Sequence, residues 1–308
     1  MELKDSSVLV TGGAGFIGSH LIERLHPSNH VEVVDSLSSG NADYLPDEVK
    51  IHEVDLLDTD ALSEVMKSDF DLVFHLAANP DVRSGAEKTS LDLEQNTVAT
   101  NNLLESMKAN GVDKIAFTST STVYGEDVPM PTPETYGPLK PISLYGASKL
   151  GCEGLCTAYE GSFGFDTWIF RFANIVGERG HGVVPDFVEK LENDPERLEI
   201  LGDGRQRKSY LHVSDCVDAM VHAVENADGT VYNIGSRDTV SVTEIAEIVS
   251  EEMGLDPDFE YTGGRRGWTG DVPEMRLSVE KLMDTGWQPQ HDSEESVRKA
   301  TREISSSP

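Results

Sequence analysis

The sequence predicts a doubly wound α/β fold, a parallel sheet with helices on both faces, together with a smaller interleaved α/β domain in the C-terminal half. Three observations predict it. In the first half, short β-branched runs alternate with helix-like runs, the pattern of successive βαβ units. Gly12, Gly15 and Gly18 span the junction of the first β-type run and the first helix-like run, where a turn needs a backbone without Cβ. From about Gly177 the rhythm changes: Gly and Pro become frequent and short segments such as 198–201 sit between loops.

In chain order, 7–10, 31–34, 49–54, 72–76, 115–119 and 168–172 read as strands, because each is a short apolar run rich in Val, Ile or aromatic residues. The stretches 16–25, 60–67, 94–109 and 145–160 read as the helices between them. The run 231–234 is expected to return to the sheet. The expected division is therefore 1–176 for the first domain, with parts of 203–236 rejoining it, 177–300 for the second, and 301–308 as a polar tail.

The chain has 308 residues, enough for a large core, and its 38% hydrophobic and 26% charged content are globular values. No apolar stretch approaches a membrane span. Against 25 Lys and Arg stand 55 Asp and Glu, a net charge of −30 that repels nucleic acid and anionic lipid. The acids are spread along the whole chain, as on a solvated surface, and suit a salt-rich cytoplasm such as a halophile's. Cys152, Cys156 and Cys216 form neither a disulfide framework nor a zinc spacing, so a reducing, cytoplasmic location and no metal are expected. Met1 to Ser7 is polar and lacks the regions of a signal peptide.

Glycines 12, 15 and 18 suit a dinucleotide: the pyrophosphate approaches main-chain N–H groups at a helix N-terminus, and the third glycine packs helix on strand. The next β-type run ends in Asp35, placed to bind both hydroxyls of an adenosine ribose and to repel a 2′-phosphate, so NAD is expected over NADP. Asp55 and Leu56 end the third run, where Asp55 is also a candidate helix cap. Leu76, Ala77 and Ala78 end the fourth, small residues suited to a flat ligand. Tyr145 and Lys149 lie one helical turn apart, and an ammonium near a phenol favours the phenolate. The run from Thr118 to Thr122 sets hydroxyls at the end of the fifth strand, where an open α/β sheet binds its ligand.

Together these motifs, from about residue 6 to 290, resemble the extended short-chain dehydrogenase/reductase family, and within it the NAD-dependent nucleotide-sugar epimerases and dehydratases, nearest the UDP-glucose 4-epimerases. The resemblance implies a Rossmann fold whose NAD fingerprint is Gly12, Gly15, Phe16, Ile17, Gly18 and Asp35, with Asp55 and Leu56 at the adenine. It adds Leu76, Ala77, Ala78, Tyr145 and Lys149 as cofactor contacts and Asn96 as the family's structural asparagine. It assigns Thr120, Tyr145 and Lys149 as the catalytic hydroxyl, base and ammonium. Asn174, one of Arg207 and Lys208, Arg266 and Asp271 resemble the contacts to a UDP-sugar. Two departures accompany it: Lys208 stands at the usual arginine position, and the spacing from Arg266 to Asp271 differs from that of the better-known bacterial epimerases.

Relatives that dehydrate or decarboxylate place Asp or Glu after the catalytic hydroxyl residue, whereas Ser121 and Thr122 stand here. The expected activity is thus NAD-dependent 4-epimerisation of a UDP-hexose. A dehydratase or reductase on the same scaffold and a noncatalytic NAD-binding regulator are the alternatives. The resemblance further implies a homodimer pairing through the helices at 94–109 and 145–160. Leu103, Leu104, Met107, Leu150, Leu155 and Tyr159 are the apolar positions that either face a partner or pack inside the subunit.

Overall fold

Six β-branched runs of the first half become strands, and a seventh joins their sheet from late in the chain. The computed structural model describes residues 1–79, 88–267 and 271–306. Residues 268–270, between Arg266 and Asp271 in the sequence, and the end of the expected tail lie outside these. The elements in order are β1 (Ser7–Thr11), α1 (Phe16–Leu25), β2 (His30–Asp35), β3 (Lys50–Glu53), α2 (Thr59–Val65), β4 (Leu72–His75), α3 (Ala99–Asn110), β5 (Lys114–Thr120), α4 (Leu144–Phe163), β6 (Asp166–Phe172) and β7 (Asn174–Val176). There follow α5 (Val183–Asn193), β8 (Arg197–Ile200), β9 (Arg207–Lys208), β10 (Tyr210–His212), α6 (Val213–Asn226), β11 (Val231–Ile234), β12 (Val240–Ser241), α7 (Val242–Met253), β13 (Asp258–Tyr261), β14 (Glu274–Met275), α8 (Glu280–Met283) and α9 (Ser293–Ser306).

The seven-stranded sheet has the order β11-β6-β5-β4-β1-β2-β3. β1 pairs in parallel with both β2 and β4, so the winding direction reverses between β1 and β4, and the carboxyl ends there border the crevice where such sheets bind ligands. Val8, Leu9 and Val10 of β1 and Leu72, Val73 and Phe74 of β4 are fully buried, as strands covered on both faces require.

On one face, Leu9, Val73, Ile115 and Phe117 pack with Leu62 of α2, Leu103, Leu104 and Met107 of α3, and Cys152, Cys156 and Tyr159 of α4. Burying a Leu or Met side chain stabilises by roughly 1.5–3 kcal/mol. Of the apolar positions set against a partner, Leu103, Leu104, Met107 and Tyr159 are spent in this core, and Leu155 is partly buried against it. Cys152 and Cys156 are core residues, and all three cysteines are free and buried. The single helix expected over 94–109 is two elements: a π-helical stretch, Leu93–Val98, precedes α3 and buries Asn96.

The chain divides into two compact units. The first takes residues 1–124, 139–171 and 220–232; the second takes 125–138, 172–219 and 233–308. The second unit has its own core, in which Phe187, Leu191, Leu198, Ile200, Ile245, Val249, Val297 and Ala300 pack together. Residues 301–306, expected to begin a polar tail, are instead the end of α9: Thr301 is buried, and the Arg302 Nε donates to Glu252 Oε2 at 2.6 Å. A helix rich in charge reads as tail because its apolar stripe is narrow, and here that stripe, Val297 with Ala300, is buried.

Candidate active site

The glycine turn joins β1 to α1 at the crevice. Gly12 has φ +70°, and a Cβ there would lie 2.6 Å from the Ala77 nitrogen; a Cβ at Gly18 would lie 2.2 Å from the Gly12 carbonyl oxygen. Gly15 caps α1 with no side-chain hydrogen bond, leaving first-turn N–H groups for an anion, and Phe16 and Ile17 are half-buried beside it. The buried Asp35 carboxylate, at the end of β2, accepts the Ala14 N–H (3.0 Å) and the Leu37 N–H (2.9 Å), which ties the turn to the strand end. A cleft of about 380 Å³ is lined by Ser36, Ser38, Glu53, Val54, Asp55 and Gln95. Asp55 accepts the Leu57 N–H at 2.9 Å but does not cap the helix; Asp58 caps α2 by accepting the Ala61 N–H. Leu56 is buried in the core behind this cleft. A glycine cradle that a Cβ would fill, followed by a carboxylate and an open cleft, fits a dinucleotide. NAD is expected to bind more tightly than NADP, and Asp35→Ala to narrow the ratio, as isothermal calorimetry of both cofactors measures; equal affinities in the parent chain would contradict the assignment.

Beneath this floor runs a buried polar chain. Leu76 N–H donates to the Thr11 carbonyl (3.0 Å) and Ala77 N–H to Thr11 Oγ1 (3.3 Å). Thr11 Oγ1 meets His75 Nδ1 at 2.7 Å, His75 Nε2 meets Thr100 Oγ1 at 2.9 Å, and Thr100 Oγ1 donates to Cys152 Sγ at 3.4 Å. The directions close only if Thr11 donates to Nδ1 and the ring carries its proton on Nε2. Burial, and then the charge of Lys149, push the His75 imidazole down to about 3, so it is neutral and no general base. No local pattern in the sequence pairs His75 with Thr100, which lies in the helix before the next strand.

Tyr145 lies in the first turn of α4, whose cap Ser143 accepts the Gly146 N–H at 3.0 Å. A Cβ on Gly146 would lie 3.0 Å from Thr122 Oγ1, so this turn abuts the segment after β5. The Lys149 ammonium is buried, donates to the Thr118 carbonyl at 2.9 Å and sits 4.8 Å from the centre of the Phe117 ring. Thr120, also buried, accepts the Thr122 N–H at 3.2 Å. Asn96 accepts the Asn79 N–H (2.8 Å) and donates to Ser148 Oγ (2.8 Å), which donates to the Tyr145 carbonyl (2.8 Å). That chain of bonds holds the stretch after β4 to the tyrosine helix. Asn79 also donates to the buried Asp92 at 2.9 Å.

The expected lowering of the phenol's pKa is not what this environment gives. Desolvation first, then the charges of Asp92 and Cys152, raise the Tyr145 hydroxyl above its ordinary value. Desolvation also lowers Lys149, opposed by Cys152, Cys156, Glu153 and Asp92. One turn of spacing shows the ammonium; it does not show Asp92, about fifty residues earlier in the chain, at the start of the π-helical stretch that packs on the tyrosine helix.

In the second unit, Arg207 and Lys208 leave β9 on opposite faces, as neighbours on a strand do. The Arg207 guanidinium donates to Glu244 Oε2 (2.7 Å) and to the Thr239 carbonyl (3.0 Å), at the capping box of α7. The Lys208 ammonium donates to Asp271 Oδ1 at 2.5 Å, and Asp271 Oδ2 accepts the Gly267 N–H at 3.1 Å. Arg266 donates to the Asp271 carbonyl (2.6 Å) and pairs with Glu126 (2.5 Å). The structure thus brings Lys208, Arg266 and Asp271 together and turns Arg207 elsewhere. Glu126, with no motif around it, was not singled out in the sequence. Asn174 opens β7 and donates from Nδ2 to the Ser209 carbonyl at 3.4 Å. A cleft of about 120 Å³ runs along this cluster, lined by Glu126, Asp127, Met130, Arg265, Arg266 and Glu274.

A dinucleotide-type glycine turn, with a Tyr–Lys pair on the helix facing a hydroxyl-bearing strand end, defines the extended short-chain dehydrogenase/reductase class. Within that class, residues 8–235 match the NAD dependent epimerase/dehydratase family, and the chain belongs to it. It is 33% identical over 299 residues to a putative UDP-glucose 4-epimerase of Methanocaldococcus jannaschii, covering 95% of this chain and 96% of that one. A crystal structure of a UDP-galactose 4-epimerase superposes with a TM-score of 0.87 at 42% identity, covering 96% of this chain and 98% of that one. The NAD complex of Thermus thermophilus UDP-glucose 4-epimerase gives 0.88 at 33%, with 96% and 98% covered. A UDP-N-acetyl-alpha-D-glucosaminuronate decarboxylase of Bacillus cytotoxicus is 36% identical over 258 residues, 79% of each chain. The family is NAD-dependent, and among the described residues no helix is long and apolar enough to cross a membrane.

Proposed function

We propose that this protein catalyses the NAD-dependent 4-epimerisation of a UDP-hexose, of the UDP-glucose/UDP-galactose type, through a transient 4-keto sugar. The observation that carries the reading is the packing of the Tyr145 turn against a β5 end that bears Thr120 and then Ser121 and Thr122, with no carboxylate among them. Tyr145 takes the proton of the sugar 4-hydroxyl and returns it. Thr120 hydrogen-bonds that oxygen, and Lys149 stabilises the phenolate. Gly12, Gly15, Gly18 and Asp35 hold NAD, which supplies a hydride acceptor that gives the hydride back, so there is no net redox change. Lys208 and Arg266 offer cations to a diphosphate, and their carboxylate partners orient them until it arrives. Arg207 pairs with Glu244 on the other face of β9, away from the Lys208–Asp271–Arg266 cluster, so the diphosphate contact is assigned to Lys208. The test is incubation of the purified protein with a panel of nucleotide sugars and NMR analysis of the products. C4 inversion of a UDP-hexose supports the reading, and loss of water or net reduction of the sugar replaces it with the dehydratase or reductase alternative.

We infer a salt-rich cytoplasm for the reaction from the charge balance alone. At −30, self-repulsion is strong in dilute buffer and screened by salt. Melting temperature and activity are expected to rise toward molar KCl, and a flat or falling melting curve would sink the idea. We also assign a homodimer. Leu93 and Val98 of the π-helical stretch and Leu144 of α4 stay exposed, in place of the core-packed α3 residues, as the apolar surface for a second copy. Sedimentation in high salt should give twice the monomer mass, and Leu93→Lys with Val98→Lys should restore the monomer.

A further inference from the structure

One hydroxyl of the run at the end of β5 has no part in the chemistry above. Ser119 is 3% exposed, shares a face of β5 with Phe117, and donates to Glu153 Oε1 at 2.5 Å. Glu153 follows Lys149 by one turn, so Tyr145, Lys149 and Glu153 lie along one face of α4. Arg171 of β6 holds that carboxylate in a bidentate pair, Nε to Oε1 at 2.9 Å and Nη2 to Oε2 at 2.6 Å. Its Nη1 donates to Tyr124 Oη at 2.9 Å, and Tyr124 closes the turn Ser121–Tyr124 that follows Thr120. All four residues are buried. Thr120 is therefore bracketed: Lys149 fixes the carbonyl of Thr118, Glu153 fixes the hydroxyl of Ser119, and Arg171 fixes the far end of the turn.

We propose that Glu153, paired with Arg171, is a positioning residue that registers the end of β5 against the tyrosine helix, with Ser119 as the contact through which it acts on Thr120. The proposal rests on the epimerase reading. An apolar contact in this place would let strand and helix slide, whereas a bidentate carboxylate–guanidinium pair is directional. Misplacement by about 1 Å costs on the order of 10² in rate. A buried ion pair serving only stability would leave the turnover of folded protein unchanged.

The variants are Ser119→Ala, Glu153→Gln and the paired Glu153→Met/Arg171→Met, which keeps a buried fold without leaving one charge alone. With NAD and UDP-galactose, Ser119→Ala should lower kcat about tenfold with KM within about twofold and an unchanged melting temperature, since it cuts the tie and spares the ion pair. Glu153→Gln and the paired variant should lose at least as much kcat while still melting cooperatively. In a Thr120→Val background, Ser119→Ala should cost less than about twofold, because the group it positions is gone. Parental kcat in Ser119→Ala, parental kcat in the folded paired variant, or full additivity with Thr120→Val would each overturn the role. Absence of turnover in the unsubstituted protein overturns the epimerase reading and this role together; turnover that all variants retain overturns this role alone.

Discussion

Tyr145→Phe is expected to lower turnover by about 10² or more, the usual scale for losing a general base, while NAD and sugar nucleotide still bind. The ring stays, so the packing of the first turn of α4 on Thr122 stays with it. Only the oxygen is lost. Because desolvation and Asp92 hold this phenol above its ordinary pKa, the base form is scarce near neutrality, and the kcat profile of the parent should climb with pH on its acidic limb. That limb should be absent from whatever residual rate Tyr145→Phe shows. Thr120→Val should cost less, since it removes one hydrogen bond and keeps the shape. Lys149→Met should cost both rate and cofactor retention and also leaves the Thr118 carbonyl without its buried donor. Near-normal turnover in Tyr145→Phe, with binding intact, would remove the phenol from the chemistry and leave the Tyr–Lys pair a noncatalytic role.

Periodicity made the sheet legible because parallel strands buried on both faces must be apolar throughout, and Val8–Val10 and Leu72–Phe74 are. The glycine turn was legible because few backbones need three glycines at that spacing. What the sequence left open depends on contacts between distant segments. Arg207 and Lys208 are adjacent cations whose difference lies in their partners, Glu244 on one face of β9 and Asp271 on the other. Leu103, Leu104 and Met107 fit a partner surface as well as a core until α2 and β4 are placed beside them. Asp55 and Asp58 are both acids before a helix, and which one caps it depends on where the strand stops. The buried bonds of Glu153 to Ser119 and Arg171 span three elements, and no local pattern announces them.

Gly18→Ala is expected to abolish cofactor retention, and it isolates the glycine turn as the binding element. The added Cβ would stand 2.2 Å from the Gly12 carbonyl oxygen and 2.8 Å from the Gly13 Cα, both backbone atoms that cannot swing aside. Relief requires α1 to move away from β1, which would open the turn and withdraw the helix N-terminus from the pyrophosphate. An overpacked core position commonly costs about 1–3 kcal/mol, so the protein should remain folded but melt several degrees lower. The loss in NAD affinity should exceed the loss in stability, because binding depends on the helix position itself. Gly161→Ala is the control: nothing lies within 4 Å of its Cβ, and a helix-interior glycine exchanged for alanine gains up to about 1 kcal/mol. Calorimetric NAD titration and thermal melting of both variants give the comparison. If Gly18→Ala keeps parental NAD affinity, the pyrophosphate is held elsewhere, and the glycine turn is no more than a tight connection between β1 and α1.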